Sequence, residues 1–268
     1  MTDLSRRAAL ITGASSGIGA TYADRLARRG HDLVLVARDR DRMETLAKNL
    51  RAEANVAVDV LPADLTEAAD LARVEARLRD DSRIGLLVNN AGAAGRGGFA
   101  EPDVEAIDRL VRLNVVAVTR LACAAVPRFL AEGGAIVNMA SVLALAHEAM
   151  PGIYAATKSF VLTFSRSLQT ELGSRGVYVQ AVLPAATRTE IWERAGRDPN
   201  GVPGMMDVGE LVDAALVGFD RRELVTIPPL PDVGQWEQFD TARAAMLPNF
   251  RNEHPAARYR GFGGPNGG

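Results

Sequence analysis

Short apolar runs alternate with longer amphipathic stretches along most of the chain. Several of these runs are apolar throughout, which is typical of strands covered on both faces in a parallel sheet. The runs cover residues 8–12, 33–37, 56–61, 84–88, 135–139, 177–183 and 224–227. The stretches between them predict helices, the first over 18–29 with Gly30 closing it. This order predicts an α/β fold, a doubly wound parallel sheet of about seven strands with helices on both faces.

The C-terminal part of the chain has a different pattern. Residues 1–231 fit one domain, whereas the extension over 232–268 has few apolar runs, and its glycine-rich last residues are expected to be disordered. The extension nevertheless holds several aromatic residues: Trp236, Phe239, Phe250 and Tyr259. So many aromatic side chains are unusual in a tail surrounded by water. We therefore expect its first part to pack on its own subunit or on a neighbour, with a flexible tail as the alternative.

The composition narrows the possible classes of protein. The chain has 268 residues, 47% of them hydrophobic, which is enough for a sizeable core. Its 31 basic and 33 acidic residues give a net charge of -2, so nucleic-acid binding is not expected. We find neither a long uninterrupted apolar run nor a secretory signal, and expect a cytoplasmic protein without a membrane span. The single cysteine, Cys123, excludes an internal disulfide and a multi-cysteine metal site.

A glycine-rich turn follows the first predicted strand. It reads Thr-Gly-Ala-Ser-Ser-Gly-Ile-Gly from Thr12 to Gly19 and leads into the first predicted helix. Glycines permit a tight turn and a close approach of the backbone to a pyrophosphate, while the helix N-terminus presents free N–H groups to the phosphates. The turn therefore favours a dinucleotide site, although a glycine turn alone can be only a turn.

The order of the motifs resembles the short-chain dehydrogenase/reductase family. The glycine turn is similar to that family's cofactor signature, and the resemblance extends over roughly residues 7–227. It rests on these further positions: Asp64-Leu65, Asn89-Asn90-Ala91-Gly92, Asn114, Ser141 and Tyr154-Ala-Ala-Thr-Lys158. The resemblance implies a Rossmann-type sheet and an oxidoreductase that interconverts a carbonyl and an alcohol by hydride transfer.

The resemblance also implies a role for each position. Asp64 would contact the adenine, Asn90 and Gly92 would lie beside the adenosine ribose, and Thr12 would brace that loop. Asn114 would hold a water that links Lys158 to solvent. The full set of expected cofactor-binding residues is Gly13, Ser15, Ser16, Gly17, Ile18, Gly19, Arg38, Asp64, Leu65, Asn90, Ala91, Gly92, Tyr154, Lys158, Pro184, Thr187 and Thr189.

Four residues are the candidates for catalysis: Asn114, Ser141, Tyr154 and Lys158. Tyr154 and Lys158 share one face of a helix, because they are four positions apart. A nearby ammonium favours the phenolate and is expected to lower the tyrosine pKa. Tyr154 would then give a proton to a carbonyl oxygen or take one from an alcohol, and Ser141 would donate a hydrogen bond to the same oxygen. No metal is required.

The end of the second strand indicates the cofactor. Proteins of this type that prefer NAD carry an acid there for the ribose 2′-hydroxyl, whereas an arginine suits the 2′-phosphate of NADP. Here Ala37 and Arg38 occupy the end of the strand, and Ser15 can add a hydrogen bond. Asp39 is the opposing signal, but it more readily caps the next helix. The sequence therefore predicts NADP(H).

The region after the sixth strand departs from the family pattern. The family usually has Pro-Gly-x-x-x-Thr, and here Ala185 replaces the glycine between Pro184 and Thr189. Alanine tolerates a positive φ poorly, so the backbone is expected to differ there, which also affects the role of Thr187. Residues 189–206 stand where the family carries its substrate lid, with four large apolar residues: Ile191, Trp192, Met205 and Met206. They fit either an apolar or amphipathic substrate or simple packing.

Other features leave alternatives open. His147 lies between Ser141 and Tyr154 and fits either a pocket position or a surface loop. The resemblance implies a homodimer or homotetramer formed through the helix of Tyr154, whose outer face offers Phe160, Val161 and Phe164. A non-catalytic NADP-binding sensor or scaffold is the alternative function. An epimerase or dehydratase would need a larger C-terminal domain than the residues after Thr189 provide.

Overall fold

A parallel sheet organises the part of the chain up to residue 229. The structure is a computed structural model that describes residues 7–94, 102–150, 152–190, 192, 198, 202 and 204–260. The strands are β1 (Ala8–Thr12), β2 (Leu33–Ala37), β3 (Val58–Pro62), β4 (Ile84–Asn89), β5 (Gly134–Met139), β6 (Val177–Val182) and β7 (Val225–Thr226). They form a seven-stranded sheet in the order β3-β2-β1-β4-β5-β6-β7, and all neighbouring pairs are parallel. The predicted doubly wound sheet is confirmed.

Five of these strands differ from their predicted bounds, and β3 and β7 differ most. The third was predicted over 56–61, but β3 begins at Val58 and ends at Pro62. Proline lacks an N–H group and is tolerated there because β3 is an edge strand. The last was predicted over 224–227, but β7 pairs with β6 only through Val225 and Thr226. Apolar character extends beyond the residues that make ladder hydrogen bonds, so composition overestimates the length of a short strand.

Helices cover both faces of the sheet. They are α1 (Gly17–Arg28), α2 (Arg40–Ala54), α3 (Ala68–Asp80), α4 (Val104–Val111), α5 (Val118–Glu132), α6 (Ile153–Leu172) and α7 (Val208–Asp220). Successive strand residues point to opposite faces, so Ile11 packs with α1, α2 and α7, whereas Leu10 packs with α3, α5 and α6. Each fully buried large side chain, such as Phe129 of α5, stabilises the fold by about 1.5–3 kcal/mol.

The longest helical run extends through α4 and α5. A π-helical segment, Arg112–Ala117, joins these two helices. The whole run, Val104–Glu132, has 29 residues and a mean hydropathy of 1.5 in its most apolar window, so by length and composition alone it could cross a membrane. Charged residues interrupt this run, so it contains no long uninterrupted apolar stretch. Core helices pass the same test, and α5 packs here against α3 and the strands.

The chain divides into two compact units, Met1–Pro229 and Leu230–Gly268. The second unit contains helix α8 (Val233–Ala244), which Asp232 caps by accepting a hydrogen bond from Gly234 N at 2.9 Å. The rings of Trp236 and Phe239 stack with centroids 5.6 Å apart. Short 3-10 turns follow, and the last residues, 261–268, lie outside the described part of the chain. That this segment packs on its own subunit or on a neighbour stays a prediction.

Candidate active site

The glycine turn between β1 and α1 leaves no room for side chains. Gly13 and Gly17 have φ values of +68° and +53°, which L side chains rarely adopt. A Cβ on Gly13 would lie 2.8 Å from Nδ2 of Asn90, and one on Gly19 would clash with the Gly13 carbonyl oxygen. Helix α1 starts at Gly17, so the N–H groups of its first turn are available for an anion. The turn therefore fits the pyrophosphate of a dinucleotide.

The loop after β4 is fastened to the glycine turn. Oγ1 of Thr12 accepts hydrogen bonds from the backbone N–H of Asn90 at 3.0 Å and of Ala91 at 2.9 Å. Nδ2 of Asn90 donates to the Thr12 carbonyl at 2.9 Å. Strands β1 and β4 are neighbours at the point where the strand order reverses, which is where ligands bind in open α/β sheets. These bonds thus fix the walls of the expected cofactor crevice.

The carboxyl ends of β2 and β3 bring Arg38 and Asp64 together. Nη1 of Arg38 is 3.8 Å from Oδ2 of Asp64, and the arginine side chain remains 73% exposed. Oδ1 of Asp39 accepts a hydrogen bond from Arg42 N at 3.0 Å, so Asp39 caps α2 as expected. Leu65 is buried below this edge. The acid that follows β2, Asp39, is therefore engaged in capping, and Arg38 keeps an accessible guanidinium.

Ser141, Tyr154 and Lys158 meet at the carboxyl end of β5. Ser141 follows this strand, accepts a hydrogen bond from Leu143 N at 3.2 Å and donates to the Pro184 carbonyl at 3.3 Å. Tyr154 and Lys158 lie on the first turns of α6, with Nζ of Lys158 5.7 Å from the centroid of the tyrosine ring. The ammonium donates to the Met139 carbonyl at 2.7 Å. The structure thus gathers the candidate hydroxyls and the candidate cation in one place.

The ionisation of these side chains differs in part from the expectation. Burial of the phenol raises the pKa of Tyr154 to about 12, and its hydrogen bond with Ser141 opposes this rise. Burial also lowers the pKa of Lys158 to about 8, because the ammonium loses hydration. The expected lowering of the tyrosine pKa by Lys158 is therefore wrong for this structure, in which burial dominates. Tyr154 is held as a neutral phenol, a suitable proton donor.

Asn114 joins the loop after β4 to helix α6. Its Oδ1 accepts from Ala93 N at 3.0 Å, and its Nδ2 donates to the Ala93 carbonyl at 3.0 Å and to Oγ1 of Thr157 at 3.1 Å. Thr157 in turn donates to the Tyr154 carbonyl at 2.7 Å. Asn114 lies in the π-helical segment, an irregularity that is frequent at functional sites. The sequence assigns no role to Thr157, since nothing in its spacing separates it from an ordinary helix residue.

The segment after β6 shows no backbone strain at Ala185. Ala185 is not among the described non-glycine residues with positive φ, which are Asn55 and Arg222. An ordinary φ accommodates alanine here, and the expected difference from the family's glycine-containing backbone stays a prediction. Oγ1 of Thr187 donates to the Ala185 carbonyl at 3.1 Å. Of the expected lid, residues 191, 193–197, 199–201 and 203 lie outside the described part of the chain.

The structure also places two features that the sequence left open, His147 and the outer face of α6. His147 is exposed in the loop after Ser141 and lies 3.5 Å from Glu148, which fits a surface loop. Val161 of α6 is buried in the core, so the outer face of this helix is narrower than predicted. Phe160 remains 38% exposed and stacks on Phe164 with centroids 5.7 Å apart.

Comparisons with known proteins agree with this geometry. A family model described as short chain dehydrogenase matches residues 7–200. A short-chain dehydrogenase from Sphingobium yanoikuyae in complex with NADPH superposes with a TM-score of 0.93 at 61% identity, over 95% of this chain and 100% of that one. A bulky-bulky ketone specific alcohol dehydrogenase from Comamonas testosteroni gives 0.88 at 56% identity, over 95% and 98%. An uncharacterized oxidoreductase from Staphylococcus haemolyticus is 34% identical over 73% of this chain and 84% of its own.

Proposed function

The chain belongs to the short-chain dehydrogenase family, and from this premise we propose that it is an NADP(H)-dependent oxidoreductase that interconverts a ketone and an alcohol. The observation that carries the proposal is the meeting of Ser141, Tyr154 and Lys158 beside the glycine turn. A sensor or scaffold that only bound the cofactor would have no need of this set. NADPH, when bound, supplies the hydride that reduces the carbonyl carbon.

The residues of the chain provide the proton and the orientation. Tyr154 donates its phenolic proton to the substrate oxygen, which suits its raised pKa of about 12. Ser141 donates a hydrogen bond to the same oxygen and stabilises the charge that develops there. Lys158 offers a buried ammonium that favours the phenolate left behind, and Asn114 holds the adjoining loop in place. In the reverse direction, Tyr154 accepts the proton of the alcohol.

The residues of the glycine turn and of the adjacent loops would hold the cofactor. The space that Gly13 and Gly19 leave free fits the pyrophosphate, and Arg38 suits a 2′-phosphate. The neighbour that carries NADPH supports this assignment. Asp64, Asn90 and Gly92 then line the adenosine half, as the resemblance implies.

The substrate class that we propose is a ketone with apolar groups on both sides of the carbonyl. Support comes from the ketone specificity named for the Comamonas enzyme and from the apolar loop after Ser141. The test is a screen that follows NADPH absorbance with diaryl, aryl-alkyl and small dialkyl ketones. Oxidation of NADPH with the bulky ketones supports the proposal. NADPH binding without turnover of any ketone would instead favour a sensor.

We also propose that the enzyme is a homo-oligomer. The exposed Phe160 on α6 and the exposed Val116 in the π-helical segment are large apolar side chains that another subunit can cover. Size-exclusion chromatography with light scattering measures the state directly.

Replacing Arg38 is expected to change the preference for the cofactor. Arg38→Asp removes a charge-assisted contact worth roughly 1.5–3 kcal/mol, so the affinity for NADPH should fall at least about tenfold. NADH lacks the 2′-phosphate and serves as the internal control, since its affinity should not fall. Isothermal calorimetry with both cofactors measures the difference. Equal affinity of the unmutated protein for NADPH and NADH contradicts the assignment.

A further inference from the structure

A short segment after β6, residues 187–190, is held at both of its ends, and we call it the strap. At its first end, Arg188 N donates to the Met206 carbonyl at 3.0 Å, and Met206 N donates to the Ala186 carbonyl at 2.9 Å. These two bonds make a parallel bridge between Thr187 and Met206. Nε1 of Trp192 donates to the Thr187 carbonyl at 2.8 Å. The base of the strap is therefore fixed by backbone hydrogen bonds.

The middle of the strap rests on the glycine turn. A Cβ built on Gly17 would lie 3.2 Å from both Cβ and Cγ2 of Thr189. Gly17 is the first residue of α1, so Thr189 lies against the helix end that suits an anion. The strap thus covers part of the expected phosphate site.

The far end of the strap is joined to helix α2 by an ion pair. Nη1 of Arg42 lies 2.8 Å from both Oε1 and Oε2 of Glu190. Nε of Arg42 lies 3.5 Å from Oδ2 of Asp39, the cap of α2, so the arginine is steered from its own helix as well. The arginine side chain is 50% exposed and that of Glu190 is 40% exposed. The ion pair connects residues that are 148 positions apart in the sequence.

The negative charge of Glu190 lies where it would weaken the binding of an anionic cofactor. The glycine turn and Arg38 prepare this region for a cofactor with several negative charges, and a carboxylate nearby repels such a ligand. Glu190 nevertheless reaches across to the first turn of α2, and Ser15 of the glycine turn lines the same open cleft as Arg42. If the ion pair with Arg42 holds the strap in place, this benefit would offset the repulsion between Glu190 and the cofactor.

We propose that Arg42 and Glu190 form a latch that holds the strap over the phosphate-binding helix end and slows the release of NADP(H). The proposal rests on the cofactor assigned under the proposed function. With the latch closed, the strap joins the glycine turn to α2 and restricts the path by which a dinucleotide leaves. Arg42 and Glu190 are thus positioning residues that act through the strap and take no part in the chemistry.

The test uses a variant for which the two explanations predict opposite signs. Glu190→Gln removes a negative charge beside an anionic ligand, so without a latch NADPH should bind more tightly or equally well. With a latch, NADPH should leave faster, by up to about fivefold, which is the upper limit expected for the loss of an exposed ion pair. Stopped-flow fluorescence follows NADPH release after mixing with excess NADP+. The measurement needs no substrate. Absence of ketone turnover would therefore contradict the proposed function and leave the test of the latch unaffected.

A matched control and a double variant complete the experiment. Asp220→Asn breaks another exposed bidentate pair, Arg29 with Asp220 at 2.9 and 3.1 Å, and should leave release unchanged. The double variant Arg42→Gln/Glu190→Gln should release NADPH no faster than Arg42→Gln alone, because one latch can be broken only once. Additive effects, or release from Glu190→Gln as slow as from the unmutated protein, would overturn the proposal.

A tryptophan offers a readout that does not depend on the cofactor rate. The sequence has two tryptophans, so Trp236→Phe leaves Trp192, two positions beyond Glu190, as the single reporter. In this background, Glu190→Gln should make Trp192 more accessible to acrylamide quenching when NADPH is bound. Unchanged quenching contradicts a latch that acts through the strap.

Discussion

Tyr154→Phe is expected to lower the rate of ketone reduction by about 10²–10⁴-fold, the usual contribution of a positioned general acid. The substitution removes the proton donor and keeps the ring, so packing at the start of α6 should persist. The affinity for NADPH should change little, because the variant retains the glycine turn and Arg38. Single-turnover measurements with saturating NADPH and a reactive ketone separate the chemical step from binding.

Tyr22 provides a matched control for this variant. Its hydroxyl is fully buried in the core and has no hydrogen-bond partner among the described residues. Tyr22→Phe removes the same atom from the same type of residue at a distance from the site, and should leave turnover unchanged. Retention of most of the activity in Tyr154→Phe would mean that another group donates the proton.

Lys158→Met is expected to cause the second large loss, about 10²-fold or more in alcohol oxidation. Oxidation requires the phenolate of Tyr154, whose pKa burial raises to about 12. The buried ammonium lies 5.7 Å from the centroid of the tyrosine ring, and methionine keeps much of the side-chain volume without the charge. The rate of ketone reduction should fall less, because reduction begins with the neutral phenol.

The pH dependence of this loss has a definite sign. Burial lowers the pKa of Lys158 to about 8, so its charge is present below that pH and is lost as the pH rises through it. The ratio of unmutated to Lys158→Met oxidation rates should therefore be largest below pH 8 and fall towards one above it. Oxidation rates of both proteins across this range measure the ratio. A ratio that rises with pH would contradict the assigned role of the ammonium.

Lys48 supplies the control for the lysine variant. The sequence contains two lysines, and Lys48 is exposed on α2, so Lys48→Met removes the same charge outside the site. This variant should keep both the rate and its pH profile. Arginine carries nearly all of the remaining positive charge, and it cannot lose its proton in the physiological range. An arginine at position 158 would therefore not give the pH dependence that lysine gives.

The periodic parts of the fold could be predicted from the sequence because they depend on patterns that the sequence displays. Strands β1 and β2 are covered by helices on both faces, so each is a continuous apolar run in the sequence. Their bounds were predicted correctly. The end of β3 at Pro62 could not be, since it depends on this strand lying at the edge of the sheet. The π-helical segment at Asn114 has no marker in the spacing of apolar residues.

The residues of the candidate site could be predicted from the sequence, but the pKa shifts of their side chains could not. The resemblance identified Ser141, Tyr154 and Lys158, and the structure brings them together. The direction in which the Tyr154 pKa shifts depends on burial, which a sequence does not reveal. The expected lowering of this pKa was wrong. The ion pair of Arg42 with Glu190 joins distant segments, and no local pattern distinguishes those two charges from other surface charges.

The bridge between Thr187 and Met206 fixes both ends of an interval whose part beyond Trp192, residues 193–205, can be exchanged. Its two ends are held together by backbone hydrogen bonds, which do not depend on the side chains in between. The entropic cost of closing a loop grows only slowly with its length, so insertions between fixed ends are tolerated. New sequences grafted over residues 193–205 would leave the strap and the proposed proton-transfer residues in place. If the proposed function holds, libraries confined to these positions are the place to begin directed evolution of the substrate range.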